Sequence, residues 1–197
     1  MNLLQALNNG YSFLKSNKID TYKIDTEVIL SQSLNISKED IILNLEKSIN
    51  INDYKRFLYK LDRRKKREPL AYILKKKEFW KNEFYVNKNV LIPRPETEHL
   101  IEETLKIIQK NTSRKILEIG VGSGCLIVSI LKERKNCFAI GIDCCKKAIK
   151  VANYNANLHL INNRIKIIKT DVDNFNTGKY DLIISNPPYI DKHKLKY

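Results

Sequence analysis

Residues 115–124 of the chain read KILEIGVGSG. A β-prone run, Lys115–Ile119, gives way to glycines at three alternate positions, Gly120, Gly122 and Gly124. This is the pattern of a buried strand ending in a tight turn, where a backbone without Cβ atoms can come close to a ligand. Cys125 stands where the third glycine of the dinucleotide fingerprint would fall, so that motif is not completed. The turn argues against a nicotinamide dinucleotide and for a nucleoside ligand without a pyrophosphate. Gly120, Val121, Gly122, Ser123 and Gly124 are its candidate cradle.

Downstream the chain alternates helix and strand: helices over 125–134 and 146–158, strands over 137–142, 164–169 and 180–185. Such alternation predicts an α/β domain with a mostly parallel, Rossmann-like sheet and right-handed crossovers. Ligands of such sheets lie beyond the carboxyl ends of the strands. Asp143 ends the second strand, nineteen residues past Gly124, where a carboxylate can accept both hydroxyls of a ribose. Asp171 and Val172 end the third, where side chains can flank an adenine ring. Glu118 stands either against the ligand's amino-acid end or one layer behind it.

The fourth strand delivers Asn186-Pro187-Pro188-Tyr189. A planar NH₂ group, in an amide or on a base, is a poor nucleophile because its lone pair is delocalised. The Asn186 side-chain oxygen and the Pro187 carbonyl can accept its two N–H bonds. The lone pair is then aimed at an electrophile, while Tyr189 packs against the plane. Two consecutive prolines hold that carbonyl in place. These residues read as the floor of a methyl-transfer site.

Upstream, the chain reads as helices. Leu3, Leu4, Leu7, Tyr11 and Leu14 recur at helical spacing, a second helix runs near 21–34, and Ser37 caps a third with an acidic first turn. Tyr54, Phe57, Leu58 and Leu61 mark a fourth, which should stop before Pro69. Residues 1–72 are thus expected to form a small all-α docking domain. A linker over 73–95 follows, with a hairpin turning at Asn87-Lys88 between Phe84–Val86 and Asn89–Ile92. The α/β domain runs over 96–197, its first helix opened by Pro95 with Glu96 and Glu98 complementing the dipole.

Hydrophobic residues make up 43% of the chain and charged residues 29%, the balance of a soluble globular protein. No apolar run approaches the roughly 18 residues that span a bilayer. The N-terminus MNLLQALNNGYSFLKS lacks a basic start, an apolar core and a cleavage site, so a cytoplasmic chain is expected. Thirty-six Lys and Arg against 22 Asp and Glu give a net charge of +14. That balance suits either a nucleic-acid partner or a lysine-rich solvated surface, and the second reading is preferred. The densest cluster, Arg63-Arg64-Lys65-Lys66-Arg67, reads as a solvated helix end. Cys125, Cys137, Cys144 and Cys145 form no Cys-x-x-Cys pair, and His99, His159 and His193 do not cluster with them. Neither a metal site nor a disulfide framework is expected.

With these motifs in place, the chain resembles the HemK/PrmC family of peptide chain release factor glutamine methyltransferases. The resemblance lies in Arg67-Glu68-Pro69-Leu70-Ala71-Tyr72-Ile73-Leu74, Glu78-Phe79-Trp80, Leu91-Ile92-Pro93-Arg94-Pro95-Glu96-Thr97-Glu98 and Ile183–Ile190. It implies a class I S-adenosylmethionine-dependent methyltransferase domain that methylates the side-chain amide in the Gly-Gly-Gln motif of release factors. By that resemblance Gly120–Gly124, Asp143, Val172 and Asn186 contact S-adenosylmethionine, and Asn186, Pro187, Pro188 and Tyr189 hold the glutamine. No metal and no membrane are implied. Direct nucleic-acid binding is not favoured, although Asn186–Tyr189 is shared with DNA and RNA amino-methyltransferases. A nucleic-acid amino-methyltransferase and a non-catalytic remnant are the competing readings.

Three departures stand out. Lys75 follows Tyr72-Ile73-Leu74 where family members usually carry a glycine, and Val172 replaces a larger, often aromatic residue. Family members also continue well past the position of Tyr197, so the sheet is expected to be incomplete at its C-terminal side and the isolated chain to be inactive or nearly so.

Overall fold

The structure is a computed structural model that describes residues 1–187. Its contacts divide the chain into two units, Met1–Lys75 and Lys76–Tyr197.

The first unit is helical throughout: α1 (Leu3–Ser16), α2 (Tyr22–Leu34), α3 (Lys38–Leu43), α4 (Ile51–Lys65) and α5 (Leu70–Leu74). Asn2 and Ser37 each close a capping box, with Gln5 and Asp40 reaching back to the cap, so two helix starts have their orphan N–H groups satisfied locally. Leu3, Leu7 and Leu14 of α1 meet Ile29 and Leu30 of α2 and Phe57 and Leu61 of α4 in one buried core. Gly10 lets α1 and α2 approach closely, since a Cβ there would lie 2.5 Å from Thr26 Cγ2. The basic cluster at the end of α4 is largely spent inside this unit. Arg64 pairs with the buried Asp25 at 2.6 Å, Arg63 grips Glu68 through two bonds of 2.7 and 2.5 Å, and Lys66 pairs with Asp62.

The short α5 was not foreseen, and it carries the helical unit to Lys75 where the sequence suggested a linker from residue 73. Lys75 ends that helix in the left-handed conformation, at φ 60. A residue with a Cβ is disfavoured in this conformation and glycine is not.

The second unit opens with a hairpin of β1 (Lys76–Phe79) and β2 (Asn82–Tyr85). The sequence reading placed it later, and the structure corrects this. The turn is Trp80-Lys81, with Trp80 at φ 53, and Phe79 and Phe84 are buried in the core. The stretch Asn89–Ile92 forms no strand. Asn87 bends the chain there, its side chain accepting the Asn89 N–H and its carbonyl the Val90 N–H.

A 3₁₀ turn over Pro95–Thr97 leads into α6 (Glu98–Ile107), followed by β3 (Lys115–Ile119), α7 (Cys125–Glu133), β4 (Phe138–Asp143), α8 (Lys146–Leu158), β5 (Ile165–Lys169) and β6 (Leu182–Ser185). The four later strands form one parallel sheet in the order β5-β4-β3-β6. From Cys125 to Leu131 every residue of α7 is buried, because this helix packs against α6, α8 and β4 at once. The chain builds outward from β3 through β4 and β5, then returns to the other side of β3 as β6. Ile119 pairs with Ser185, so the turns that follow β3 and β6 stand next to each other. The switch in strand order thus creates a crevice at the carboxyl edge.

Candidate functional site

The turn after β3 has Gly120, Gly122 and Gly124 at φ 76, 53 and 79. Gly124 is also a close-approach point, since a Cβ there would sit 3.3 Å from Ala152 of α8. At Gly120 no atom lies within 4 Å of the place a Cβ would take, so the turn is open on that side. The N–H groups of Gly120 and Val121 both donate to the Ile142 carbonyl, at 2.9 and 3.0 Å, which ties the turn to β4. Val121 and Ser123 are buried.

Asp143 strengthens the same tie. Its Oδ2 accepts the Gly122 N–H at 3.0 Å and its Oδ1 the Cys145 N–H at 2.8 Å. The carboxylate is half-buried, and each oxygen keeps lone-pair capacity for a further donor. Cys144 and Cys145, which follow it, are exposed, whereas Cys125 and Cys137 are buried. Burial pushes the Cys125 thiol up to about 12, which keeps it protonated at neutral pH.

Glu118 lies one residue before the end of β3, 3% exposed. Desolvation first, and the neighbouring Asp143 charge to a lesser degree, hold its carboxyl well above the usual range, opposed by the Ile127 N–H at the start of α7. Among the described residues Glu118 Oε2 has no hydrogen-bond partner. A carboxyl whose folded pKa is raised gives its full contribution to stability below the unfolded value of 4.5, and loses it as pH rises through the folded value. Glu118→Gln should therefore be more thermostable than the wild type at mildly alkaline pH and no more stable at acid pH. Melting curves across that range check this, and an equal shift at both ends would exclude ionisation of Glu118 as the cause.

Asn186 stands at the end of β6, half-buried, with Pro187 exposed beside it. The preceding Ser185 hydroxyl donates to the Ile119 carbonyl at 3.0 Å, and the Asn186 Nδ2 donates to the Thr97 hydroxyl at 2.9 Å. Two clefts meet here. The smaller, about 80 Å³, includes Glu118, Gly120, Val121, Gly122 and Ser123 in its lining. The larger, about 610 Å³, includes Glu96, His99, Ser185 and Pro187. Leu91, Arg94, Thr97 and Asn186 line both.

The structure therefore brings the β3 turn, Asn186 and the Pro93–Glu98 segment together. Asp143 stands at the adjacent strand end without lining either cleft. Val172 lies in a 3₁₀ turn after β5, 48% exposed and outside both clefts. Pro188 and Tyr189 fall outside the described residues.

Two supporting side chains escaped the sequence reading. Thr97 was seen only as part of a helix start. Asn155, on α8 and fully buried, donates to the carbonyls of Ser123 and Tyr85 and accepts the Tyr85 N–H, linking the hairpin to the glycine turn. The apolar-periodic context of Asn155 in α8 offered a weak signal, as a lone polar residue on a buried helix face.

Among the described residues, no group of three or more His, Cys, Asp or Glu side chains could hold a metal ion, and no helix is long and apolar enough to cross a membrane.

Residues 5–74 match the family model of the PrmC N-terminal domain, and residues 99–197 that of the methyltransferase small domain. The chain is 36% identical over 193 residues to a release factor glutamine methyltransferase of Clostridium acetobutylicum, covering 96% of this chain and 68% of that protein. It is 35% identical over 197 residues to the protein of that name from Caulobacter vibrioides, covering 96% of this chain and 66% of the relative. A bifunctional methyltransferase of Rickettsia typhi is 37% identical over 205 residues, covering 94% of this chain but 40% of its own length. The chain thus spans about two thirds, or less, of the length of the curated relatives it matches.

Proposed function

The chain belongs to the release factor glutamine methyltransferase family, and on that premise we propose that it transfers a methyl group from S-adenosylmethionine to the side-chain amide nitrogen of the glutamine in a release factor's Gly-Gly-Gln motif. The observation that carries this reading is the pinning of Asn186 beside the β3 turn, at the junction of two clefts.

The residues present fit the cofactor. The β3 turn is open at Gly120, and the buried Glu118 Oε2 lacks a partner next to the smaller cleft. Gly120–Gly124 would cradle the cofactor, Asp143 would accept the ribose hydroxyls, and Glu118 would face its cationic amino-acid end. Val172 is proposed to border the adenine. When bound, the cofactor supplies a methyl group on a sulfonium, an electrophile that needs no metal.

The larger cleft would admit the glutamine. Asn186 Oδ1 and the Pro187 carbonyl would accept the two N–H bonds of its amide, and Pro188 and Tyr189 would complete the floor. Held this way, the amide nitrogen would be oriented for methylation, and the chain would contribute positioning rather than a general base.

A nucleic-acid substrate is the reading that the +14 charge would favour. Against it, Arg63, Arg64 and Lys66 of the densest basic cluster are paired with Glu68, Asp25 and Asp62. The protein at its full natural length, incubated with methyl-labelled cofactor and either a release factor or total RNA, separates the two. Label is expected in the release factor and lost when its Gly-Gly-Gln glutamine is replaced; label in RNA alone would overturn the proposal.

A further inference from the structure

Thr97 closes the 3₁₀ turn that runs into α6, with helical backbone angles (φ −69, ψ −17), and its side chain caps no backbone N–H of that helix. Its hydroxyl instead accepts the Asn186 Nδ2, across 89 positions of sequence. We infer that Thr97 is a positioning residue for methyl transfer, holding the plane of the Asn186 amide so that its oxygen is presented to the incoming NH₂ group. The inference rests on the assignment of Asn186 as the acceptor for that group.

A primary amide has one acceptor end and one donor end, and a half-turn about its terminal torsion exchanges them. With Nδ2 committed to Thr97, Oδ1 points away from Thr97 and keeps its lone pairs for a donor. The hydroxyl can donate as well as accept, so it holds the plane of the amide while the N–H of the target sets which end faces it. Without the hydroxyl the side chain is free to turn. It can also tilt, and an error of about 1 Å at a transfer site costs on the order of 100-fold in rate.

Thr97 is suited to the task because its own backbone is fixed. Pro95 sits in the first turn of the 3₁₀ segment, and the Thr97 N–H donates to the Arg94 carbonyl at 3.0 Å. The next residue, Glu98, accepts the Trp80 N–H at 2.6 Å, which anchors the segment to the hairpin.

The test uses Thr97→Val, which keeps the shape and removes the hydroxyl, and Thr97→Ser, which restores it. In the full-length protein Thr97→Val should lower kcat on a release factor by about 10- to 100-fold, with the KM for S-adenosylmethionine little changed, and Thr97→Ser should recover most of the loss. Separately, with ¹⁵N-asparagine labelling, the Asn186 side-chain amide signals should move in Thr97→Val and stay in Thr97→Ser, with no substrate present. Wild-type kcat in Thr97→Val, equal impairment of both variants, or unmoved Asn186 signals would overturn the inference. Moved signals in a protein that does not methylate release factors would uphold the positioning and refute the substrate instead.

Discussion

Asn186→Ala is expected to lower kcat for methylation of a release factor by about 100- to 1,000-fold, more than any change at Thr97, while cofactor affinity falls only a few-fold. The reason is the division of labour at the end of β6. The backbone there is set by the pairing of Ile119 with Ser185 and by the Ser185 hydroxyl on the Ile119 carbonyl, neither of which needs the Asn186 side chain. Alanine keeps the strand end and deletes the oxygen proposed to orient the target NH₂. Asn186→Asp retains an oxygen in that place and can still meet the Thr97 hydroxyl, which is able to donate as well as accept. It should fall between wild type and Ala. Steady-state kinetics on a release factor measure the ranking, and an Asn186→Ala protein within a few-fold of wild type would remove Asn186 from the chemistry.

Asp143→Ala is expected to weaken S-adenosylmethionine binding by about 5- to 150-fold, the equivalent of 1–3 kcal/mol for donors left unpaired. It should also lower the melting temperature of the ligand-free protein. The second effect distinguishes Asp143 from a residue that only touches ligand, because its two oxygens already hold the N–H groups of Gly122 and Cys145. Without the carboxylate, the turn loses one of its ties to β4 and the start of α8 loses an acceptor. Asp143→Asn should not rescue either property, since one end of the amide would set a donor against one of those N–H groups. Calorimetry decides the binding arm, and affinity equal to wild type would take Asp143 out of the proposed site.

Much of the α/β unit was legible because its signals are local. The run Lys115–Ile119 and the periodic stretch Lys146–Leu158 formed a strand and a helix with those same bounds, and Ser37 capped α3 as its position before an acidic turn suggested. The hairpin was misplaced for an equally local reason. Trp80 adopts a positive φ that bulky side chains rarely take, so nothing in its identity marks a turn. Val90, Leu91 and Ile92 carry strand propensity, yet the Asn87 bend turns the chain before they could pair. Helix α5 is five residues long, too short for periodicity to reveal. At the site, the glycine turn and Asn186 were visible as motifs. The Thr97 contact and the three bonds of Asn155 were not, because each joins segments far apart in sequence. The isolation of Glu118 is likewise a product of packing.

The four cysteines give the molecule a labelling chemistry of its own. Cys144 and Cys145 open to solvent immediately after the carboxylate proposed to hold the ribose, while Cys125 and Cys137 are sealed in the core. Cys125 in addition stays a thiol, not the reactive thiolate, at neutral pH. An alkylating dye would therefore reach the first pair in the native state and the second only when the fold opens. One reagent would then report on two events at different times, occupancy beside β4 and loss of the core, with no substitution introduced to carry the dye.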